Sequence, residues 1–546
     1  MLQQCSFYHF PTANRNFTPE PATMLQKFIR FFSGSNKLEP AFFGAFALLQ
    51  LLPILLPAWF YTYDGPAHLH NSYLLSQLLF DQSAFLSSWY EFNPNPEPNW
   101  TYYFLTVPLM QLFSVAWADK ITLSIYVLLF AYGYRRMALQ LQHALAGWLA
   151  WPVFFFIYHF NFMLGQYNFA FSMAAFWWML SYWLQLLGKE TTGRWLGFGG
   201  WMYLAYFSHL VGFAAGGLAA GILLLFPSLP KHRFKWTSLL KLLGLSLPLL
   251  SATAWFFIQK QAGAAHVWVD PAELWQRLLS LQVLKVFNPN SETTALAGLW
   301  LLLGAGFVLF VLSLRAKRPA YHGFWLLGGC LLVLYFVLPD QTAGAGYIST
   351  RFALLCTMVL ALAASLQWQA SLWWSISITM LIAGQAYLGL YYGRNEVELG
   401  KDMAEFQEAK PHLLRQAVVQ QLNYSPGWLH EHFTEGIFAP EVVHLNNYEA
   451  SNSYFPLRWK RMVYDRYQPL SMLLGQWPPC IDSATLAQSN SLPQPDQLLR
   501  WYYSGPRNAC DSLMAQFLTE NYQLSFRSSS GKLEIFTNKS VLENAH

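Results

Sequence analysis

Charged side chains are scarce in this sequence. Asp, Glu, Lys and Arg make up 11% of its 546 residues, whereas an average soluble domain carries roughly 25%. A chain so poor in charge cannot cover itself with a water-soluble surface. The formal net charge of +5 is also small, and no basic stripe indicates a nucleic-acid groove, so we expect no nucleic-acid partner.

Several catalytic motifs are missing as well. The sequence contains no phosphate-binding loop, dinucleotide fingerprint, zinc-protease motif or nucleophile elbow. A function driven by cytosolic ATP is therefore unsupported, and the chemistry has to be sought in the apolar part of the chain.

Hydrophobic residues, in contrast, make up 54% of the chain and gather in long runs. A transmembrane helix needs roughly 20 apolar residues, so we predict a polytopic α-helical membrane domain at 38–392 with about eleven such helices. Their predicted positions are 41–60, 117–134, 144–160, 168–187, 195–208, 210–226, 239–258, 296–314, 324–338, 352–366 and 372–391. Residues 101–116 are interpreted as an interfacial or re-entrant helix.

The basic residues indicate the orientation, because Lys and Arg that flank membrane spans are held on the cytoplasmic side. Basic residues precede the first span, and then no Lys or Arg occurs from residue 38 to residue 119. This gap predicts a cytoplasmic segment at 1–37 and a large extracytoplasmic first loop at 61–116. An odd number of spans then places residues 393–546 on the extracytoplasmic side of the inner (plasma) membrane.

Hydropathy falls after residue 392, which predicts a soluble extracytoplasmic domain at 393–546 of ordinary size. Its end is predicted as a strand at 497–503, a helix at 510–521 and strands at 522–528 and 532–537. We therefore expect a small α/β domain after the last span.

Two further features belong to this predicted domain. Cys480 and Cys510 are its cysteines, and in an oxidising compartment a disulfide between them is as compatible with the sequence as two free thiols. Residues 443–450 and 454–461 mix aromatic rings with polar and basic groups. Carbohydrate recognition uses such mixtures, and a surface near anionic lipid has the same composition.

The most informative stretch is 61–71, YTYDGPAHLHN, directly after the first predicted span. Asp64 would lie at the membrane edge, where it could accept a proton from an acceptor hydroxyl or amine. The alternative is a helix cap, because Asp64 followed by Gly65 and Pro66 is also a good helix start. The two roles are compatible.

Two histidines follow this acid. A spacing of four residues brings Asp64 and His68 to one helix face, so that Asp64, His68 and His70 could bind a divalent cation. Two histidines and one acid are fewer ligands than a closed metal site uses. The alternatives are histidines that face a substrate phosphate or that are satisfied at the membrane interface.

The layout resembles the GT-C superfamily of integral membrane glycosyltransferases: a first span, a loop that opens with an acid, and a Pro- and Asn-rich stretch before 100–105, WTYYFL. The resemblance implies that Asp64 is the catalytic base and that the donor is a sugar on a polyprenyl phosphate or diphosphate. Many relatives carry a second acid directly after the first, whereas this chain has Gly65. Glu91 and Glu97 are other acids of the loop, where dense Pro and Asn also describe a rigid surface turn.

Other polar residues are predicted at the same membrane face. Arg351 could hold a lipid-linked phosphate through paired hydrogen bonds, or it could extend to lipid headgroups. His209, between two short spans, is a site neighbour or makes a structural hydrogen bond. A tight turn at 159–168 could line a sugar pocket with its polar residues His159, Asn161, Gln166 and Asn168.

Together these features predict a membrane glycosyltransferase that moves a sugar from a polyprenyl-linked donor to an extracytoplasmic glycan, lipid or protein acceptor. Asp64 is the predicted base, and the predicted substrate-binding residues are Arg351, His68, His70 and His209. No cofactor is predicted other than the divalent cation. The alternatives are a multi-span transporter or flippase, although no pair of matching halves is present, and a non-catalytic envelope assembly protein.

Overall fold

The computed structural model of the protein describes most of the chain. The described residues are 23–33, 37–141, 143–226, 235–260, 266–315, 321–342, 346–425, 436–445, 455–460, 466–467, 474, 492–505 and 509–544. Within them the protein is mostly helical, and a five-stranded sheet lies near the C-terminus.

The predicted apolar runs are helical over most of their lengths. The longer helices are α7 (Val115–Gln140), α9 (Tyr167–Gly188), α10 (Thr192–Ser208), α11 (Leu210–Leu225), α12 (Trp236–Lys260), α15 (Ala297–Arg315), α16 (His322–Val337), α17 (Ile348–Ser365) and α18 (Leu372–Ala409). The shorter ones are α1 (Met24–Phe31), α2 (Glu39–Leu49), α3 (Leu52–Leu55), α4 (Gly65–Leu79), α5 (Ala84–Trp89), α6 (Thr101–Leu109), α8 (Phe160–Met163), α13 (Pro271–Leu279) and α14 (Pro289–Ala295).

Among the described residues, four helices are long and apolar enough to cross a membrane. They are Val115–Gln140, Trp236–Ile258, Ala297–Leu314 and Ile348–Ser365. Shorter apolar helices are Glu39–Leu55, Gly147–Phe156, Leu210–Leu225 and His322–Val337. Length and composition thus support a membrane-associated protein, and the number of about eleven spans stays a prediction.

Two predicted runs are not single α-helices. The run at 41–60 breaks between α2 and α3, where Pro53 enters the first turn of α3, because proline suits a helix start and not a helix interior. The run at 144–160 contains a 3₁₀ helix at Ala146–Phe156. At a rise of about 2.0 Å per residue, this tighter helix covers as much depth as a longer α-helix.

The centre and the rim of the bundle differ in packing. α9 buries side chains on all of its faces, and its core includes Phe176, Trp177 and Trp183. In α12, by contrast, only 17% of the residues in its most apolar stretch are buried. An apolar helix that leaves most of its surface exposed suits contact with lipid.

A buried ion pair joins α2 to α7. Arg135 donates from both terminal nitrogens to Glu39 at 2.6 Å each, and Trp151 donates to the same carboxylate at 2.9 Å. A Cβ on Gly147 would lie 2.0 Å from Glu39 Oε2. Glycine at this position therefore leaves room for the buried pair.

Residues 393–546, called the tail below, contain the small sheet with helices that their sequence predicts. The elements of the tail are β2 (Val418–Asn423), β3 (Val443–His444), β4 (Leu457–Trp459), β5 (Gln497–Trp501), α19 (Ala509–Asn521), β6 (Tyr522–Arg527), β7 (Leu533–Asn538) and α20 (Lys539–Asn544). The sheet order is β3-β2-β5-β7-β6, with parallel pairing on either side of β2 and antiparallel pairing of β7 with both β5 and β6. The predicted final strand, helix, strand and strand are confirmed.

Part of the tail lies outside the described residues. Cys480 and the side chain of Cys510 belong to that part, so the disulfide stays a prediction. The same holds for residues 446–454 and 461, which include much of the two aromatic and polar stretches. α18 runs without a break across the predicted domain boundary at residues 392 and 393.

The tail docks on the first loop. Strand β1 (Tyr90–Phe92) pairs antiparallel with β4, with Tyr90 opposite Trp459. Nearby, the Glu441 N–H donates to Gln77 Oε1 at 3.0 Å, and Glu441 accepts from Ser83 at 2.8 Å. Backbone pairing between segments so distant in sequence joins the loop and the tail into one structure.

Candidate active site

A cavity of about 540 Å³ lies at the end of the bundle that carries α4 to α6. Four residues predicted for the site line it, namely Asp64, His68, His209 and Arg351. They come from the N-cap and first turn of α4, the joint between α10 and α11, and the first turn of α17. Residues from distant parts of the sequence thus meet at one cavity.

Asp64 is positioned by its backbone. Its N–H donates to the Leu164 carbonyl at 3.0 Å, and the Tyr63 N–H donates to the Met163 carbonyl at 3.1 Å. Asp64 is the N-cap residue of α4, but its side chain makes no capping hydrogen bond. The carboxyl group lines the cavity instead, so a cap role accounts for the position of the residue and not for its side chain.

Two glycines allow the chain to pack closely here. Gly165 has a φ of +85°, which favours glycine, and a Cβ there would lie 2.6 Å from the Gly65 nitrogen. A Cβ on Gly65 would lie 2.3 Å from Thr62 Oγ1 and 2.4 Å from the Tyr167 hydroxyl oxygen. Those two oxygens share a hydrogen bond of 2.7 Å. The position after Asp64 therefore has no room for a second acid.

His68 is enclosed by aromatic rings. Its Nδ1 lies 2.9 Å from the Tyr103 hydroxyl oxygen. The ring centroids of Tyr102, Tyr167 and Phe455 lie 6.4, 6.2 and 5.5 Å from that of the imidazole. These contacts hold the imidazole in one orientation beside the cavity.

Arg351 is tied to the turn at 159–168. Its Nε donates to Gln166 Oε1 at 3.2 Å, and its guanidinium carbon lies 5.6 Å from the ring centroid of Phe169. Asn161 Nδ2 donates to the same Gln166 oxygen at 2.9 Å and to Thr350 Oγ1 at 2.8 Å. A guanidinium held in this way is suited to bind a phosphate with two parallel hydrogen bonds.

The other polar residues of this turn divide into two groups. Gln166 and Asn168 line the cavity, as the sugar-pocket interpretation requires. His159 caps α8 by accepting from the Phe162 N–H at 3.0 Å, and Asn161 supports Gln166 from behind. The turn thus supplies the amide side chains of Gln166 and Asn168 to the cavity. Asn161 holds Gln166 by a hydrogen bond, and His159 stabilises the start of α8.

The loop before α17 fixes the position of Arg351. The Asp340 carboxylate accepts from the Ser349 N–H at 3.0 Å and also from the Ser349 hydroxyl, and its carbonyl accepts from the Ile348 N–H at 3.0 Å. Burial raises the pKa of Tyr347, and the charges of Asp64 and Asp340 raise it further. Tyr347, the N-cap residue of α17, is thus in electrostatic contact with Asp64.

His209 has two roles. Its Nδ1 accepts from the Val211 N–H at 3.1 Å, which caps α11. Its ring also meets the ring of Phe169 edge-on, with 5.5 Å between the centroids. The residue is a structural cap and a lining residue of the cavity together, so both interpretations apply.

The structure places His70 away from the cavity. It follows the cavity residue His68 by two positions on α4, and a step of two residues rotates the side-chain direction by roughly 200°. It is fully buried against His444 of the tail, with 4.6 Å between the ring centroids. Neither nitrogen of its ring has a hydrogen-bond partner within the described chain. Burial, and then His444, holds the pKa of His70 well below its usual value, and burial lowers the pKa of His444 to about 3.

The described residues do not form the predicted site for a divalent cation. In the described part of the chain, no group of three or more His, Cys, Asp or Glu side chains could hold a metal ion. Asp64 and His68 line the cavity, whereas His70 faces the tail. The three residues of the metal hypothesis are therefore not brought together.

Glu91 and Glu97 of the first loop contact the tail, Glu91 directly and Glu97 through Asn93. Glu91 forms an ion pair with Arg458 at 3.0 Å. Glu97 accepts from Asn93 Nδ2 at 2.8 Å, and Asn93 also donates to the Phe455 carbonyl at 3.2 Å. Neither Glu91 nor Glu97 lines the cavity, so neither replaces the missing second acid.

The residues that line the cavity include two chemically different sets. The polar set, called the polar wall below, includes Asp64, His68, Gln166, Asn168, His209 and Arg351. The apolar set, called the apolar wall below, includes Val211, Phe213, Leu250, Phe256, Phe257 and Leu338, mainly from α11 and α12. Such a cavity fits a ligand with a polar head and an apolar tail.

Two residues near the cavity were not predicted. Asp119, which is 4% exposed, accepts from the Tyr102 hydroxyl at 2.7 Å, and the Tyr102 ring packs on Tyr167 at 4.9 Å. An acid within an apolar run, here Asp119 followed by Lys120, is a signal that points to such a site. Phe455 also lines the cavity, but no pattern in the sequence connects it with Asp64.

No protein-family model matches the chain, and no curated protein matches it significantly. The resemblance to the GT-C superfamily therefore depends on Asp64 and on the order of the segments around it.

Proposed function

We propose that the protein is a membrane glycosyltransferase that takes a sugar from a polyprenyl-linked donor and passes it to an extracytoplasmic acceptor. The observation that carries the proposal is that Asp64 and Arg351 line one cavity that also has an apolar wall. A candidate base, a candidate phosphate ligand and a surface for a lipid chain are thus present together.

The two walls suit the two halves of such a donor. Burying a polyprenyl chain against the apolar wall gains roughly 25 cal/mol for each Å² of apolar surface. The anionic phosphate is stabilised by charge-assisted hydrogen bonds from Arg351. Because α12 exposes most of its apolar surface, a lipid chain can reach this wall from the membrane.

The reaction is a displacement at the anomeric carbon. The acceptor oxygen or nitrogen bonds to this carbon, and Asp64 takes the proton that the acceptor loses. The bond from the anomeric carbon to the phosphate oxygen breaks, and its electron pair leaves with the phosphate beside Arg351. Direct attack inverts the configuration at the anomeric carbon. His68 and His209 orient the sugar.

The test compares donor consumption by membranes that carry wild-type or Asp64→Asn protein, with a panel of polyprenyl-linked sugars. Asparagine keeps the shape of the side chain but cannot act as the base, so we expect a rate loss of roughly 10²- to 10⁴-fold. Asp81→Asn is the matched control, because it makes the same change just beyond the C-terminal end of α4, a helix about 22 Å long whose N-cap residue is Asp64. It should keep the wild-type rate.

The same assay separates the alternatives. Undiminished donor consumption by Asp64→Asn would contradict the proposed base. Movement of the lipid-linked sugar across the bilayer without its consumption would favour a flippase. A wild-type protein that neither consumes nor moves any donor would favour an assembly role.

A further inference from the structure

Within the described part of the tail, Phe455 is the residue that lines the cavity. Its ring meets His68 edge-on at 5.5 Å and lies 6.0 Å from the ring of Tyr103. His68 is one helical turn from Asp64, about 5.4 Å along the axis. A group bound between Asp64 and the tail therefore lies beside this ring.

The backbone of Phe455 is held by the first loop. Asn93 Nδ2 donates to the Phe455 carbonyl at 3.2 Å, and the Asn93 N–H donates to the Pro456 carbonyl at 2.8 Å. The pairing of β1 with β4 begins directly after these residues, with Leu457 opposite Phe92. The ring is thus a fixed part of the cavity and not a loose side chain on its rim.

We propose that Phe455 is a stacking platform for the transferred sugar and selects which glycosyl group the site accepts. This inference rests on the proposed glycosyltransferase function and assigns a role in it to the tail. Phe455 is a specificity residue, since it acts on the sugar and takes no part in the bond changes.

The chemistry of the neighbouring rings favours this assignment. The C–H groups on one face of a pyranose form a flat apolar surface, which packs on aromatic rings through dispersion and burial. The ring of Tyr167 packs on that of Tyr102, with 4.9 Å between the centroids. The ring of Phe169 contacts both Arg351 and His209. Phe455 lines the same cavity as Arg351, so a sugar joined to a phosphate at Arg351 can extend to its ring.

The experiment measures the affinity of purified wild-type and Phe455→Leu protein for two kinds of probe. One is farnesyl phosphate, and the other is a set of farnesyl phosphates that carry glucose, galactose, mannose or arabinose. Leucine fills much of the volume but lacks a flat face. We expect Phe455→Leu to lose about five- to tenfold in affinity for the preferred glycosylated probe and nothing for farnesyl phosphate.

Two controls complete the test. Phe438→Leu makes the same change in a buried tail residue that stacks on Trp59 at 5.2 Å and does not line the cavity, so it should bind both probes as the wild type does. Phe455→Tyr keeps the ring face and should restore the preference among sugars.

The outcomes separate this inference from the proposed function. If the wild type prefers a glycosylated probe and Phe455→Leu changes neither affinity, or both equally, the stacking role is wrong and the transferase proposal stands. If the wild type binds none of the probes, the proposed function is overturned, and the role of Phe455 with it.

Discussion

The polar and apolar walls of the cavity are built in different ways. The residues of the polar wall are held by hydrogen bonds, as with Arg351 to Gln166 and Asp64 to Leu164. The apolar wall includes Phe257, which is 45% exposed, on the loosely packed α12. One wall holds its polar side chains in fixed positions, whereas the other presents partly exposed apolar side chains.

This difference indicates where substitutions will matter. A group that must meet a reacting atom loses its effect when it moves by about 1 Å. A surface that binds a flexible apolar chain tolerates exchanges that conserve volume. The polar wall should therefore be intolerant of change and the apolar wall tolerant.

The largest effect is expected from Gly165→Val, because Gly165 packs against the backbone of Asp64 in the polar wall. The residue has a φ of +85°, and a Cβ would lie 2.8 Å from the Asp64 carbonyl carbon, so a β-branched side chain must displace the turn from Asp64. We expect loss of farnesyl phosphate binding and of transfer. Gly217→Val is the control, since a Cβ there meets nothing within 4 Å, and equal behaviour of both variants would contradict the prediction.

Arg351→Gln tests the charge of the polar wall. Loss of a charge-assisted hydrogen bond costs about 1.5–3 kcal/mol, so affinity for farnesyl phosphate should fall roughly ten- to hundredfold. Affinity for farnesol, which lacks the phosphate, should stay the same. Arg277→Gln removes an arginine that pairs with Glu273 on α13 and should change neither value. A parallel loss for farnesol would show that Arg351 supports the fold and not the phosphate.

Acid should weaken the docking of the tail through His70 and His444. Both pKa values are lowered in the folded protein, that of His444 to about 3, so the stability that the neutral pair contributes is complete above about pH 6.5 and is lost as the pH falls below it. At pH 5 the loss is about 2 kcal/mol for His444, and the lowered pKa of His70 acts in the same direction. The loss should appear as a lower thermal unfolding midpoint at pH 5 than at pH 7.5, both measured in detergent.

Substitution separates this pair from the other histidines. His444→Gln should reduce the drop in midpoint between the two pH values, while His412→Gln, at an exposed site in the same tail, should leave it unchanged. An equal drop in all three proteins would assign the acid sensitivity to other groups.

The smallest effect is expected on the apolar wall. Phe257→Leu keeps an apolar side chain at a half-exposed position, so affinity for farnesyl phosphate should fall only about two- to threefold. Titration of both proteins with this probe measures the difference. A loss as large as that of Arg351→Gln would mean that the apolar wall is as exacting as the polar one.

The sequence predicts those parts of the structure that depend on local patterns. The apolar runs, and the strands and helix of the final 50 residues or so, follow from periodicity and turn residues that a short window contains. Asp64 and Arg351 could be found because charged residues near apolar runs are costly and seldom without a role. Their meeting at one cavity could not be derived from those patterns.

The contacts that complete the site are nonlocal. Phe455 and His444 reach α4 only because β1 pairs with β4 and because the tail folds back on the first loop. No local pattern encodes such a pairing, since it depends on the packing of the whole molecule. The same reason explains why His70 was expected at the cavity and instead faces the tail.

The most direct test of the central claim is photo-crosslinking of a farnesyl phosphate that carries a photoreactive group in its prenyl chain. The account predicts that labelled peptides contain residues 209–214 and 250–257, and that unlabelled polyprenyl phosphate suppresses the labelling. It also predicts that Arg351→Gln reduces the labelling while Arg277→Gln does not. Labelling confined to other helices, or labelling that the competitor and Arg351→Gln leave unchanged, would contradict a lipid-phosphate site in this cavity.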